Sequence, residues 1–169
     1  MIPVLTTEQL TLGPCTLDHV AAFEAFAATE ASRFLGGPSD DPRDGWYSCA
    51  THAGQWVIRG YGTFWLTETA TRTPVGRVGL WHPGWLPEPE LSWVIYPAFE
   101  GKGLAFEAAR TVLDWAAHEH GIRRPMSLIE NDNFRSIRLA ERLGATRETD
   151  FTYDHGGGVQ CWRHVEVPA

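Results

Sequence analysis

The stretch Trp93-Val-Ile-Tyr-Pro-Ala-Phe-Glu-Gly-Lys-Gly-Leu-Ala-Phe-Glu-Ala-Ala109 decides the fold of this chain. It predicts a β-strand that ends at Pro97, a tight turn containing Gly101 and Gly103, and then an amphipathic helix. The glycines allow a sharp reversal that exposes N–H groups, and the helix adds unpaired N–H donors and the positive end of its dipole. Such a junction favours a phosphate or pyrophosphate, although a glycine-rich connector without a ligand is the alternative.

Two common phosphate motifs do not fit this turn. No third glycine completes G-x-G-x-x-G after Gly103, and Lys102 lacks the following Ser or Thr of a P-loop. The turn resembles instead the pyrophosphate arm of the GNAT superfamily, the acetyl-CoA-dependent N-acetyltransferases, whose signature is Q/R-x-x-G-x-G/A. Glu100-Gly-Lys-Gly-Leu-Ala105 stands in this frame, with Glu where the family has Gln or Arg.

A second segment, Asp132-Asn-Phe-Arg-Ser-Ile-Arg-Leu-Ala-Glu-Arg-Leu-Gly144, resembles the later N-x-x-S/A helix of the same family. Asn133 suits the N-cap of this helix, and Gly144 suits the position after its end. The two motifs stand in the family's order, and the resemblance spans roughly residues 5 to 166. It is closest to the Rim-type branch, which acetylates protein N-termini.

The resemblance implies an acetyl-CoA site made from three parts of the chain. The strand, the glycine turn and the late helix would contribute Trp93, Val94, Ile95, Glu100, Gly101, Lys102, Gly103, Leu104, Ala105, Asn133 and Ser136. A carboxylate facing pyrophosphate would oppose binding. We therefore expect the side chain of Glu100 to point to solvent or to pair with a basic residue.

Composition predicts one globular domain over residues 1–169, with 43% hydrophobic and 21% charged residues. The net charge of −7 argues against a nucleic-acid partner. Three widely spaced cysteines indicate neither a disulfide framework nor a metal site. With no signal peptide and no apolar run of roughly 18 residues, we expect a cytoplasmic protein without a membrane partner. Its oligomeric state, monomer or homodimer, stays open.

Apolar periodicity and turn residues predict an α/β fold with the order β-αα-βββ-α-β-α-ββ. The predicted strands are 9–12, 60–67, 75–81, 90–96, 126–129, 148–153 and 159–165, and the predicted helices are 18–28, 39–52, 104–120 and 133–144. This is also the order of the GNAT fold, a mixed β-sheet flanked by helices.

Acetyl transfer to an amine requires a base, because an ammonium cannot attack a thioester. Glu90 is the first candidate, since its strand leads into the glycine turn. His82, flanked by Trp81 and Trp85, is the second, because its ordinary pKa suits the task. The alternatives are that Glu90 is the polar end of a strand and that His82 is a solvated loop residue.

The leaving thiolate has no obvious proton donor in this sequence. Many family members have a Tyr in the late helix, but this chain has Ala140 there. Ser136 is the candidate donor, Tyr153 a further one, and water a third, because a thiol with a pKa near 8.5 is a fair leaving group. Ser136 could instead bond only the first turn of its own helix.

The chain contains eight tryptophans, which line ligand pockets or fill cores. We assign Trp81, Trp85 and Tyr153 to the predicted substrate pocket. The sequence therefore predicts an N-acetyltransferase that uses acetyl-CoA and no metal, with direct attack by a protein N-terminal or small-molecule amine in a ternary complex. The departures at Glu100 and Ala140 support the alternative, a non-catalytic CoA-binding module for sensing or assembly.

Overall fold

Eight β-strands form one mixed sheet in the order β1-β2-β3-β4-β5-β6-β8-β7. The structure, a computed structural model, describes residues 1–149 and 158–168. The strands are β1 (Leu5–Thr6), β2 (Leu10–Gly13), β3 (Thr63–Glu68), β4 (Pro74–Trp81), β5 (Glu90–Ile95), β6 (Met126–Glu130), β7 (Thr146–Glu148) and β8 (Val159–Arg163). Neighbouring strands pair antiparallel except β5 and β6, which are parallel. The predicted α/β class with a mixed sheet is confirmed.

In the described part of the chain, four α-helices flank the sheet. They are α1 (Leu17–Ala27), α2 (Pro42–Arg59), α3 (Leu104–His120) and α4 (Phe134–Arg142), and short 3-10 helices cover Glu30–Leu35 and Pro97–Phe99. Gly121 ends α3 in the left-handed conformation, as predicted for a glycine cap. None of the helices in the described residues combines the length and the apolar character that crossing a membrane requires.

The two faces of β5 pack against different helices, because side chains alternate along a strand. Leu91 belongs to the large core that α3 covers. Val94 and Tyr96 pack on the opposite face with Phe23 and Phe26 of α1. The side chains of β5 therefore alternate between the two faces, and the face that carries Val94 is the one turned towards α1.

Strands β5 and β6 meet at a single register pair, Glu90 with Met126. Beyond that pair, β5 remains paired with β4 and β6 with β8. Ser127 Oγ donates a hydrogen bond of 2.6 Å to the carbonyl oxygen of Leu91 just after the junction. The sheet therefore opens between two parallel strands, and the gap widens towards the glycine turn.

Two predicted boundaries need correction, and two short elements were not predicted. Helix α2 continues past His52 to Arg59, because Gln55 and Trp56 face the core and only Gly60, at φ 77°, stops the helix. Strand β7 begins at Thr146 rather than at residue 148, and residues 150–153 of the predicted strand lie outside the described residues. Strand β1 and the 3-10 helix at Glu30–Leu35 were not predicted.

Candidate active site

A cavity of about 1220 Å³ occupies the gap between β5 and β6. This cavity, the cleft, is bordered by the glycine turn, the first turns of α4 and the 3-10 helix at Glu30–Leu35. Its volume exceeds the roughly 300–1,000 Å³ of ordinary small-molecule pockets. The cleft is large enough for an extended ligand together with a second, smaller molecule.

The glycine turn forms one end of the cleft. Gly101 and Gly103 have φ of 75° and 81°, and no atom lies within 4 Å of the place where a Cβ would stand at either residue. The following helix α3 begins with N–H groups that have no partner within the helix. This open turn with free donors fits a pyrophosphate group, because nothing obstructs close approach to the backbone.

Lys102 contributes its backbone to this turn, but its side chain points elsewhere. The ammonium lies 3.7 Å from Glu68 Oε1 and 5.0 Å from the centre of the Phe99 ring. Lys102 is not among the residues that line the cleft.

Glu100 forms an ion pair with Arg135 of α4 at the edge of the cleft. We expected the Glu100 side chain to point to solvent or to pair with a basic residue, and the structure confirms the pairing. Asn133 caps the same helix, because its Oδ1 accepts a 3.2 Å hydrogen bond from the backbone N–H of Ser136. The motif around residues 132–144 thus forms the capped helix that the sequence predicted.

Trp93 connects β5 to α4. Its indole Nε1 donates a hydrogen bond of 3.2 Å to Ser136 Oγ. Ser136 lines the cleft, as do Trp93, Val94 and Ile95. Because the indole donor uses an acceptor site of the hydroxyl, the Ser136 hydroxyl hydrogen stays available for another acceptor.

Glu90 lies where β5 and β6 meet, at the opposite end of the cleft from residues 101–103. Its Oε1 accepts a hydrogen bond of 3.3 Å from the backbone N–H of Leu128. Burial raises the pKa of Glu90 from 4.5 to about 7, and the Leu128 bond only partly opposes this shift. A carboxyl group with such a pKa can both take up and release a proton near neutral pH.

Of the other predicted site residues, some line the cleft and some do not. Trp81 lines the cleft, whereas Trp85 is 63% exposed and does not. His82 is also absent from the lining; its Nδ1 lies 2.5 Å from the Tyr61 hydroxyl, and burial lowers its pKa. Tyr153 lies outside the described residues.

His52 lines the cleft although the sequence did not suggest it. Its ring lies 4.6 Å from the ring of Trp81, and its Nδ1 lies 2.9 Å from Thr63 Oγ1. Burial lowers the pKa of His52 well below its usual value, so the imidazole is neutral at physiological pH. No local pattern could have found this residue, because only the packing of α2 against the sheet brings it to the cleft.

Arg77 of β4 is the second cleft residue that sequence reasoning missed. Its side chain is buried, and its position in the strand gave no indication of a role.

Among the described residues, no group of three or more His, Cys, Asp or Glu side chains could hold a metal ion.

The sequence pattern of the acetyltransferase (GNAT) domain matches residues 9–146. An acetyltransferase from Agrobacterium tumefaciens has a similar structure, with a TM-score of 0.90 and 31% identity over 98% of this chain and 96% of that chain. The ribosomal-protein-S5-alanine acetyltransferase from Vibrio fischeri, a Rim-type protein, shares the fold at a TM-score of 0.71, with 14% identity over 97% of each chain.

A further relative is YnaD of Bacillus subtilis, described as an uncharacterized N-acetyltransferase. It is 30% identical over 73 residues, which are 43% of this chain and 43% of that protein, so the alignment spans less than half of either. The domain match, by contrast, covers most of the chain, and it includes the glycine turn and α4. The chain belongs to the GNAT family of acetyltransferases.

Proposed function

We propose that this acetyltransferase binds acetyl-CoA in the cleft and transfers the acetyl group directly to a primary amine bound in the same cavity. The observation that carries the proposal is the position of Glu90. It lies where β5 and β6 meet, and its pKa of about 7 suits proton transfer. The open glycine turn lies at the other end of the same strand.

Strand β5 offers an extended cofactor arm a backbone edge along which it can lie. Six residues of a strand span roughly 20 Å, and β5 runs from Glu90 to Ile95. The pyrophosphate would lie on the N–H groups of Gly101 to Ala105. The pantetheine amides would pair with the β5 backbone at Val94 and Ile95, as an added strand does. Bound acetyl-CoA supplies the acetyl thioester and a thiolate leaving group.

Glu90 would remove the proton from the attacking amine, directly or through water. An ordinary carboxyl group, with a pKa near 4.3, is a weak base for an ammonium with a pKa of about 8 to 10. The raised pKa of Glu90 reduces this mismatch. The neutral amine then forms the new C–N bond while the C–S bond breaks. The nitrogen loses its second proton, the thiolate takes up one proton, and the proton held by Glu90 is released to solvent.

Ser136 would donate a hydrogen bond to the departing sulfur and so stabilise the thiolate until it takes a proton from solvent. Trp93 Nε1 already donates to Ser136 Oγ, which orients the hydroxyl while its hydrogen remains free. Asn133 Oδ1 accepts the capping bond from the Ser136 N–H and keeps this residue in the first turn of α4. Ser136 is therefore both a helix residue and the proposed hydrogen-bond donor to the sulfur.

His52 lies close to the proposed base without sharing its role. It is neutral at physiological pH, and it lines the cleft beside Trp81, whose register partner on β5 is Glu90. Because burial holds the pKa of His52 well below that of Glu90, the imidazole would hydrogen-bond a water or the amine and would not take the proton from Glu90. His82 has no such position, since its imidazole is bonded to Tyr61 outside the lining of the cleft.

The test measures turnover of acetyl-CoA with a panel of amines. Turnover is monitored through the release of free CoA thiol. The panel contains N-terminal peptides, free amino acids, polyamines and aminoglycosides. We expect thiol release that depends on at least one amine, with the acetylated product confirmed by mass. Thermal stabilisation by acetyl-CoA without turnover on any amine would contradict the proposal and support the non-catalytic binding module.

A further inference from the structure

Arg77 is a buried cation in the wall of the cleft. It is 6% exposed, lies in β4, and pairs in register with Val94 of β5. Its side chain therefore lies on the sheet face turned towards α1, beside the cleft. Burial lowers the pKa of Arg77 to about 10, so the group keeps its charge at neutral pH.

The guanidinium of Arg77 has few partners for its donors. Arginine carries five N–H donors. Among the described residues, the guanidinium donates one hydrogen bond, from Nη1 to Ser48 Oγ at 3.3 Å, and no carboxylate forms an ion pair with it. Its Cζ instead lies 4.7 Å from the centre of the Phe23 ring and 5.8 Å from the centre of the Trp65 ring. These ring contacts stabilise the charge without using its hydrogen-bond donors.

An unpaired buried charge is unfavourable, because desolvation removes its hydration without a replacement. A carboxylate would supply what is missing, since its two oxygens match the planar fork of a guanidinium. The hydroxyl of Tyr96 is a second polar group in this region. It is buried without a hydrogen-bond partner in the described part of the chain, and it lies near enough to Arg77 to interact electrostatically.

Arg77 and Glu90 face the same cavity. Arg77 pairs with Val94, and Trp81 pairs with Glu90, so the two register pairs are four residues apart along the strands. Four residues correspond to roughly 13 Å, and an even spacing keeps both side chains on one face. An acceptor held at Arg77 can thus extend along the sheet and present its amine to Glu90.

We infer that Arg77 binds a carboxylate of the acceptor, so the substrate is an amine that also carries a carboxylate group. This inference rests on the proposed function, because it specifies the acceptor of the same site. A free α-amino acid is too short to reach from Arg77 to Glu90, whereas a peptide with an acidic side chain provides this chemistry. Polyamines and aminoglycosides, which lack a carboxylate, do not.

The kinetic test compares matched acceptors. A peptide with an acidic second residue is paired with its amide counterpart, and a peptide with an acidic third residue is paired in the same way. In the wild-type protein, kcat/KM should be roughly 10- to 100-fold higher for the carboxylate member of a pair, as expected for charge-assisted hydrogen bonds. Whichever pair shows the larger ratio identifies the position of the carboxylate in the acceptor.

The variants are Arg77→Met and Arg77→Lys, with Arg147→Met as control, since Arg147 is an exposed arginine of β7 that does not line the cleft. Arg77→Met should reduce the ratio of kcat/KM between the carboxylate acceptor and its amide counterpart to about one, because the KM for the carboxylate acceptor rises. Arg77→Lys should give an intermediate ratio. The control should keep the wild-type ratio. Thermal stabilisation by acetyl-CoA, measured on each variant, reports that it is folded.

A binding measurement separates this inference from the proposed function. An N-acetylated peptide with an acidic second residue, a product-like carboxylate, should raise the Tm of the wild-type protein but not of Arg77→Met, and its amide counterpart should raise neither. Turnover without any preference for carboxylate amines would overturn the inference and leave the acetyltransferase activity intact. Absence of turnover, together with Arg77-dependent stabilisation by the acidic acetylated peptide, would retain the carboxylate site and overturn the proposed reaction.

Discussion

Glu90 and Met126 form the register pair at which β5 and β6 meet, and the described residues contain no other register pair between these strands. The parallel strands therefore part immediately after Glu90. This leaves its carboxyl group at the closed end of the cleft, where burial raises its pKa to about 7. The same topological feature thus opens the cavity and places a titratable group inside it.

Glu90→Gln should lower kcat about 10²- to 10⁴-fold near neutral pH, because the amide keeps the shape of the side chain but cannot accept the proton. In the wild-type protein, kcat/KM should rise as the pH increases through about 7, where Glu90 ionises. The variant should recover part of its activity at high pH, since more of the amine is then already neutral. Steady-state kinetics across a pH series measure both effects.

His82→Gln is the comparison for this variant, because His82 bonds Tyr61 and does not line the cleft. We expect its kcat to stay within about threefold of wild type, as for a residue outside the proton path. If the rise near pH 7 persists in Glu90→Gln, a group other than Glu90 is the base.

Glu90→Gln should also stabilise the protein at alkaline pH. The pKa of Glu90 rises from 4.5 to about 7 on folding, so the folded state binds the extra proton between these values. Stability is therefore lost as the pH increases through this window, and the loss persists above it. The Tm difference between Glu90→Gln and wild type should be larger at about pH 8 than at about pH 5. Glu119→Gln, an exposed change on α3, should show no such trend.

Gly103→Val should abolish thermal stabilisation by acetyl-CoA, because the added side chain would occupy the open space beside the turn. Wild-type protein should gain roughly 2.7 kcal/mol at a hundredfold excess of ligand over Kd. Gly60→Val is the matched control, since Gly60 has a similar φ of 77° and equally open surroundings but does not line the cleft. Both variants carry the same backbone strain, so a full shift in Gly103→Val would assign the ligand to another place.

Arg135→Gln should raise the KM for acetyl-CoA, because it leaves the Glu100 carboxylate unpaired beside the proposed pyrophosphate position. Glu100→Gln should leave this KM unchanged or lower it modestly, and the double variant should resemble Glu100→Gln. Each effect should be roughly two- to fivefold, as expected for a solvent-exposed pair. A large rise in KM for Glu100→Gln alone would show that the carboxylate itself helps to bind the cofactor.

Ser136→Ala should lower kcat by up to about tenfold, because water can replace a hydroxyl as donor to a good leaving group. Trp93→Phe should have a smaller effect in the same direction, since it removes the 3.2 Å bond to Ser136 Oγ while the hydroxyl remains. Single-turnover kinetics separate this chemical step from product release. Unchanged kcat in Ser136→Ala would limit Ser136 to its capping bond with Asn133.

The sequence by itself determined the features that depend on neighbouring residues. The glycine turn before α3 and the Asn133 cap of α4 follow from local backbone preferences, which a few adjacent residues establish. The family match over residues 9–146 agrees with the resemblance found in these two motifs. Helix α2 was predicted too short, because its later turns are held by the packing of Trp56 and not by local propensity.

Only the tertiary structure decided which side chains meet in the cleft. His52 reaches it from α2, Arg77 from β4 and Glu90 from β5, and none of these residues lies in the two family motifs. The Glu100–Arg135 pair likewise joins residues far apart in the chain. The physical reason is that burial depends on what packs around a group. The raised pKa of Glu90 follows from it, as does the charge of Arg77, which has no ion-pair partner among the described residues.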